Sequence, residues 1–211
     1  QITFFMALFA VVLTHFLLSS TWTFDKHFLF ALGSAIVASF SSSNGLLVWP
    51  IGLLQLWSSH QRSATPSDKT FRHLTWCWIL SSGCVFGFYF WGYTRTPGLP
   101  SPLYFVTNTV SSVNYFFTVL GSSLAVKPNS AKVVGLLLVV IGIFTFFTAY
   151  RKSSALDFSF WDALVIFAFL SSLMLVVGRA GLGVEQGLSS RYTTFTLLGV
   201  AALYIKSRKV F

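Results

Sequence analysis

The residues best suited to chemistry in this chain lie in one short segment, 178–192, with the sequence GRAGLGVEQGLSSRY. The segment stands between two apolar runs, 161–177 and 192–205. It is the one long polar interruption that combines both charge signs with four glycines. Glycine frees the backbone for compact turns and for close approach to a ligand. The candidate binding residues in this segment are Arg179, Glu185, Gln186, Arg191 and Tyr192.

This segment favours recognition of a phosphate group. Arginine holds phosphate oxygens in a bidentate fork, and ionisable groups at the edge of a hydrocarbon layer are costly unless they are paired or hydrated. A phosphate on an apolar tail would relieve that cost, Glu185 would pair with one arginine, and Tyr192 would pack at the interface. Arg95, in the proline-rich stretch 92–102, is a sixth candidate. The alternatives are an ordinary turn with snorkelling arginines and simple contact with anionic lipid headgroups.

The composition excludes a soluble globular domain. Hydrophobic residues make up 55% of the 211 residues and charged residues 9%, and the mean hydropathy is +0.74. A soluble domain of this size could not bury that much apolar surface. We therefore predict a multi-pass α-helical membrane protein whose partners include membrane lipids. The net charge of +9 lies in short loops between apolar runs, as the positive-inside bias produces, so it does not indicate a nucleic-acid partner.

The apolar runs predict an all-α, polytopic transmembrane bundle of about six spans plus one interfacial amphipathic helix. The region 28–57 is too long for one straight span. Its SFSSSNG sequence followed by Pro50 favours two short helices that meet at a tight turn, with a single kinked helix as the alternative. His15, inside the first run, is expected to be a hydrogen-bonded packing residue. The other predicted spans are 2–18, 75–91, 133–148, 161–177 and 192–205.

The interfacial helix is predicted over 103–126. This stretch has the length of a span, but its first half is loaded with polar residues, while apolar residues recur at spacings of three and four. We expect the apolar face to lie toward lipid or core and the Ser, Thr and Asn side chains to face water or an outer cavity. The apolar positions are Val106, Val110, Val113, Phe117 and Leu120, and the polar ones are Thr107, Asn108, Thr109, Ser111, Ser112 and Asn114.

Basic residues set the predicted orientation. Placing Lys26 and the loops 58–73, 151–160 and 206–211 in the cytoplasm puts nine Lys and Arg residues inside and five outside. The segment 178–192 then lies at the outer face of the membrane. If 103–126 crosses the membrane instead, everything downstream inverts and 178–192 moves to the cytoplasmic side.

No metal or cofactor site is indicated. Cys77 and Cys84 are seven residues apart in one apolar run and are interpreted as small core residues. The chain has no Walker loop, no zinc-spaced Cys/His set and no G-x-S-x-G elbow. Because it begins at Gln1 inside an apolar run, we interpret 1–211 as a single transmembrane domain, the C-terminal part of a longer protein.

Two stretches resemble the GT-C membrane glycosyltransferases, which use polyprenyl-phosphate sugars. FALGSAIVASFSSSNGLLVWPIGLLQLW is similar to a family segment in which a glycine-containing span, a polar break and an apolar span precede a basic cytoplasmic loop. SSRYTTFTLLGVAALY resembles the family's Arg-Tyr motif at the outer start of a late helix, here Arg191 and Tyr192. The patterns SNGLLVWP and GRAGxGxEQxLSSRY also resemble a group of bacterial multi-pass membrane proteins.

The resemblance implies a glycosyltransferase of the bacterial inner (plasma) membrane. It would act on a polyprenyl-phosphate-linked sugar at the outer face, without a cofactor, with the catalytic acidic residue in an outer loop before Gln1. A second resemblance stays open, because LGSSLAVKPNSAKVVGLLLVVIGIF is similar to the end of a repeat in drug/metabolite-type transporters. A non-enzymatic membrane scaffold is the third interpretation.

Overall fold

The computed structural model describes residues 2–20, 24–62, 68–94, 98–152 and 158–210. Throughout these residues the regular structure is helical and includes no strand, so the predicted all-α class is confirmed. The helices are α1 (Ile2–Ser19), α2 (Lys26–Ser41), α3 (Val48–Arg62), α4 (Asp68–Phe90), α5 (Tyr104–Thr107), α6 (Thr109–Gly121), α7 (Pro128–Lys152), α8 (Phe160–Arg179) and α9 (Ser190–Val210).

Three helices in the described part of the chain are long and apolar enough to cross a membrane. These stretches are Ile2–Ser19, Pro128–Ala149 and Phe160–Leu182. They match the predicted spans 2–18, 133–148 and 161–177, because an uninterrupted apolar run of this length is itself the signal for a span. The other predicted spans, and with them the total of about six, stay predictions.

The chain divides into two compact units. The first unit contains Gln1–Tyr93 and Tyr150–Leu164, and the second contains Thr94–Ala149 and Val165–Phe211. The prediction that 1–211 forms a single transmembrane domain stays a prediction.

In the first unit, α1 packs along α2 through small side chains. Ala10 on α1 and both Ala31 and Ala35 on α2 are buried. Small residues let two helix backbones approach closely, so polar side chains can reach across the contact. The hydroxyl oxygens of Thr14 and Ser34 lie 2.8 Å apart in a buried hydrogen bond between the two helices.

The region 28–57 forms two short helices, as predicted. A single 3₁₀ turn, Ser43–Leu47, separates α2 from α3. A side chain at Gly45 would collide with the backbone carbonyl of Ala38, so this return of the chain requires glycine. Pro50 lies in the first turn of α3, where no backbone N–H is needed, and it therefore favours the beginning of the helix rather than a break.

Tryptophans form the centre of the first unit. The rings of Trp49 and Trp78 are 4.7 Å apart between centroids, and both side chains are buried. The indole N–H of Trp49 donates to the Ser39 hydroxyl at 2.9 Å, and that of Trp78 donates to the Trp49 carbonyl oxygen at 2.9 Å. Each buried indole therefore has the partner that its burial requires.

His15 is a hydrogen-bonded packing residue, as predicted. Its Nδ1 lies 2.7 Å from Gln55 Oε1, and Gln55 Nε2 donates to the His15 carbonyl oxygen at 3.1 Å. Because a side-chain amide oxygen only accepts, Nδ1 carries the proton in this arrangement. Both side chains are buried, so the pair joins α1 to α3.

Two sequence interpretations in the first unit are wrong. The predicted loop 58–73 is helical up to Arg62 and again from Asp68, because the two helix ends contact each other. His60 stacks on Phe71 with ring centroids 4.1 Å apart, and this aromatic contact supports both helix ends.

The second error concerns the cysteines. Both have free thiols, but Cys84 is exposed and Cys77 half-buried, because their face of α4 points away from the core.

In the second unit, the predicted interfacial helix is divided at Asn108 into α5 and α6. Val106, Val110 and Val113 are exposed, in agreement with an apolar outer face, and the position of this face along a membrane stays a prediction. Three of the Ser and Thr side chains that were expected to face water or an outer cavity do not face water. Ser112, Thr118 and Ser122 are buried, because they lie with Tyr115 on the inner face of α6 and at its C-terminal end.

Glycines let α6 and α7 touch backbone to backbone. A Cβ at Gly121 would collide with the carbonyl of Ala131, and one at Gly135 would collide with the carbonyl of Phe117. Such small residues allow helix axes to approach more closely than any larger side chain permits. On the other side of α6, the ring of Phe116 meets Phe169 of α8 edge-on at 5.2 Å.

Candidate functional site

The segment 178–192 forms two consecutive single turns of 3₁₀ helix between α8 and α9. The turns cover Ala180–Leu182 and Val184–Leu188. Gly183 separates them with a φ of 96°, a backbone conformation that other residues rarely adopt. The predicted compact glycine turn is therefore present.

Two arginines from opposite ends of this turn lie against one aromatic ring. The guanidinium carbon of Arg179, at the end of α8, is 5.8 Å from the ring centroid of Tyr192, and that of Arg191 is 6.0 Å from it. Both distances suit cation–π attraction. Arg179 is half-buried and Arg191 exposed, while Tyr192 is only 2% exposed. The buried tyrosine ring therefore holds both cations at the surface of the second unit.

The other predicted site residues contribute differently. Glu185 is exposed on the second 3₁₀ turn, and no ion pair joins it to Arg179 or Arg191 in the described part of the chain. The predicted pairing is therefore not made. Gln186 is half-buried and helps to form the turn through its backbone, whose N–H donates to the Gly183 carbonyl at 3.2 Å. Arg95 lies outside the described residues.

Buried hydroxyl groups next to the arginine site were not predicted from the sequence. Tyr115 on α6 is fully buried in the apolar cluster that also contains Tyr192, and neither phenolic hydroxyl has a hydrogen-bond partner among the residues that the structure describes. The buried hydroxyl of Ser112, one helical turn before Tyr115, also lacks one. The spacing of Ser112, Tyr115 and Thr118 marks one helical face, but sequence alone does not say that this face is the inner one. The apolar members of the cluster are Val119, Leu175, Val176 and Ala180.

Electrostatic coupling connects Tyr115 to the arginine site. Burial raises the pKa of the Tyr115 phenol well above its ordinary value, the neighbouring Tyr192 raises it further, and the Arg179 guanidinium acts in the opposite direction. Tyr115 therefore keeps its proton at neutral pH and stays both a donor and an acceptor of hydrogen bonds.

The first 3₁₀ turn is covered by the segment that precedes α6. A Cβ at Gly181 would lie 2.5 Å from Cβ of Pro100 and 3.3 Å from Cδ2 of Tyr104. Tyr104 is partly buried and also packs against the apolar cluster of Tyr115 and Tyr192. Tyr104 therefore contacts both the first 3₁₀ turn and the cluster that contains Tyr115 and Tyr192.

This arrangement can bind an anion at its surface and a neutral polar group further inside. Within the residues that the structure describes, no group of three or more His, Cys, Asp or Glu side chains is placed to hold a metal ion. Comparison of the chain with protein-family models, with curated proteins and with solved structures finds no match.

Proposed function

We propose that this chain is an integral membrane protein that binds a lipid with a phosphate headgroup and takes part in transfer of a sugar from that lipid. This is the chemistry of the polyprenyl-phosphate-dependent glycosyltransferases, acting at the outer face of a bacterial plasma membrane. The observation that carries the proposal is the convergence of Arg179 and Arg191 on Tyr192.

The charge balance at this point favours an anionic ligand. Neither arginine forms an ion pair with a carboxylate in the described residues, and Arg179 is half-buried beside an apolar cluster. A cation in such surroundings gains from an anion that replaces its lost hydration. A guanidinium held against a ring keeps its N–H groups available along its edge, which suits bidentate binding of phosphate oxygens.

The surroundings of the turn favour a ligand with an apolar tail. Three apolar side chains on α8, the turn and α9 are exposed by 40% or more: Val177 (40%), Leu182 (43%) and Leu197 (49%). Each of these exposed side chains lies within six residues of Arg179 or Arg191 along the chain. A long polyprenyl chain would bury these side chains while its phosphate reached the cations.

The direct test is binding of a long-chain polyprenyl phosphate to the purified protein in phosphatidylcholine nanodiscs. Arg191→Ala is expected to weaken binding by about 10-fold to 100-fold, because a charge-assisted hydrogen bond contributes about 1.5–3 kcal/mol. Arg191→Lys should lose less, since it keeps the charge but not the fork. Lys127→Ala, which removes an exposed cation elsewhere in the second unit, serves as the matched control and should change affinity by less than about 2-fold.

Two outcomes would contradict the proposal. Arg191→Ala could remain folded and bind the lipid as tightly as the parent protein. Alternatively, phosphatidylglycerol could compete with polyprenyl phosphate on equal terms, which would make the arginines a general anchor for anionic headgroups. The dephosphorylated polyprenol is the ligand control and should bind the parent protein and Arg191→Ala equally weakly.

A further inference from the structure

We propose that the hydroxyls of Tyr115, Tyr192 and Ser112 form an inner subsite that binds an uncharged, hydroxyl-bearing group, such as a sugar, attached to the phosphate. This inference rests on the proposed function and names the part of the ligand that lies beyond the phosphate. It rests on three buried hydroxyls that have no hydrogen-bond partner among the described residues. Tyr192 is the ring that both arginines face, Tyr115 packs in the same cluster, and Ser112 lies one helical turn before Tyr115.

All three side chains that carry these hydroxyls are buried. Tyr115 is 0%, Tyr192 2% and Ser112 4% exposed, and none of their hydroxyl oxygens has a hydrogen-bond partner in the described part of the chain. Burying a hydroxyl without a hydrogen bond lowers stability, and phenylalanine would fill the same space without that cost. The two tyrosines of one cluster, and Ser112 one helical turn before Tyr115 on α6, therefore supply unused hydrogen-bonding capacity.

The chemistry of the groups identifies the ligand class. Hydroxyls both donate and accept, so they match the hydroxyls of a neutral polyol better than a second anion, which needs donors alone. Aromatic rings surround them, since Tyr104 and Phe116 pack against the same cluster. Apolar walls with a few convergent polar groups are typical of small-molecule sites.

The route to these hydroxyls lies under Tyr104. This ring is only partly buried and contacts both the cluster and Gly181, so its displacement would open the inner hydroxyls from the side of the 3₁₀ turn. Because Arg179 ends α8 at the same turn and interacts electrostatically with Tyr115, a phosphate on the arginines would bring its attached group to this opening.

The test compares two ligands, a polyprenyl phosphate and the same lipid carrying a single sugar, in phosphatidylcholine nanodiscs. Tyr115→Phe and Ser112→Ala should each weaken binding of the glycosylated lipid by about 2-fold to 10-fold, the range for one neutral hydrogen bond. Affinity for the unglycosylated lipid should not change. Without ligand, both variants should unfold at the parent's temperature or above it, because an unpartnered hydroxyl has been removed. Tyr204→Phe, an exposed tyrosine on α9, is the control and should alter neither affinity.

Several results would overturn the inference. If Tyr115→Phe and Ser112→Ala bind both lipids as the parent does, the hydroxyls do not touch the ligand. If both lipids lose affinity equally, the hydroxyls support the arginines and do not bind the sugar.

Binding of an alkyl glycoside separates failure of this inference from failure of the proposed function. If neither phosphorylated lipid binds but the glycoside does, and Tyr115→Phe loses it, the sugar subsite stands and the phosphate proposal falls. If the glycoside also fails to bind, both fall.

Discussion

The two units bury polar side chains in different ways. In the first unit, buried polar groups on different helices bond to each other, as in the pairs Thr14–Ser34 and His15–Gln55. In the second unit, the hydroxyls of Ser112, Tyr115 and Tyr192 are also buried but have no hydrogen-bond partner within the described residues. The contrast is one of degree, because His15 Nε2 and the hydroxyls of Ser59 and Thr75 are also unpartnered in the first unit.

This difference separates structural polar groups from those available to a ligand. A satisfied polar pair between two helices specifies their register, and removing one partner leaves the other buried and unpaired. An unpartnered hydroxyl specifies nothing within the fold and lowers its stability. In the second unit, α6 and α7 are instead in direct backbone contact at Gly121 and Gly135. The Ser112 and Tyr115 hydroxyls of α6 do not join it to another helix by a hydrogen bond within the described residues.

The largest effect is expected where the second unit relies on that backbone contact. Gly135→Ala should lower the free energy of unfolding by about 3 kcal/mol, because the new methyl group collides with the Phe117 carbonyl and forces α6 and α7 apart. Gly142→Ala, in the same helix with open space at its Cβ position, is the matched control and should be neutral or slightly stabilising. Thermal unfolding in detergent measures both. Equal effects of the two substitutions would show that the close contact of α6 and α7 contributes nothing.

A smaller loss is expected on breaking a satisfied pair in the first unit. Gln55→Leu leaves the buried Nδ1–H of His15 without its acceptor and should cost about 2 kcal/mol of stability. Gln61→Leu makes the same chemical change at an exposed position of α3 and should cost almost nothing. Denaturant unfolding of the two variants measures the difference in stability. If Gln55→Leu unfolds at the same denaturant concentration as Gln61→Leu, the buried pair is not a structural element.

The features that the sequence predicts well are local. The break at Ser43–Leu47 follows from a Ser/Asn/Gly cluster just before Pro50, and the turn around Gly183 follows from glycines between two apolar runs. The span-length helices α1, α7 and α8 follow from uninterrupted apolar sequence. In each case neighbouring residues alone determine the conformation.

The inner part of the candidate site was not predictable in the same way. Periodicity places Ser112 and Tyr115 on one face of α6, but the opposite face, with Val110 and Val113, is the more apolar and would be assigned to a core in a soluble protein. In a membrane protein the apolar face can meet lipid while the polar face packs inside. The helical extensions into 58–73 were missed for a related reason, since the His60–Phe71 contact that supports them is tertiary.

A direct comparison of one hydroxyl from each unit should show a loss of stability in the first unit and no loss in the second. Ser39→Ala removes the acceptor of the buried Trp49 indole N–H and should lower stability by about 1 kcal/mol. Ser112→Ala removes a buried hydroxyl with no partner and should leave stability unchanged or raise it. Both are Ser→Ala changes at buried helical positions, so helix propensity and volume cancel, and thermal melts under one condition suffice. A larger loss for Ser112→Ala would mean that its hydroxyl has a structural role.

The smallest effect is expected at Asp25. This residue tests whether partly exposed polar contacts contribute to the stability of the fold as the buried ones do. Its carboxylate caps α2, with Oδ2 3.0 Å from His27 Nδ1 and Oδ1 accepting from the Phe28 N–H at 3.1 Å. The hydrogen bond to His27, followed by that from Phe28, holds the pKa of the Asp25 carboxyl below its ordinary value. A carboxyl whose pKa is lower in the folded state stabilises the fold fully above its ordinary pKa, about 4, and that contribution is lost as the pH falls through the lowered value.

Asp25→Asn provides the measurement, because asparagine keeps an oxygen that can cap the helix but does not titrate in this range. The melting temperature of the parent should fall more steeply below about pH 4 than that of the variant, with the two curves parallel at neutral pH. Since the remaining carboxyl groups are common to both proteins, the difference between the curves reports Asp25 alone. Curves that stay parallel down to acid pH would mean that this cap stabilises α2 by its shape and not by its charge.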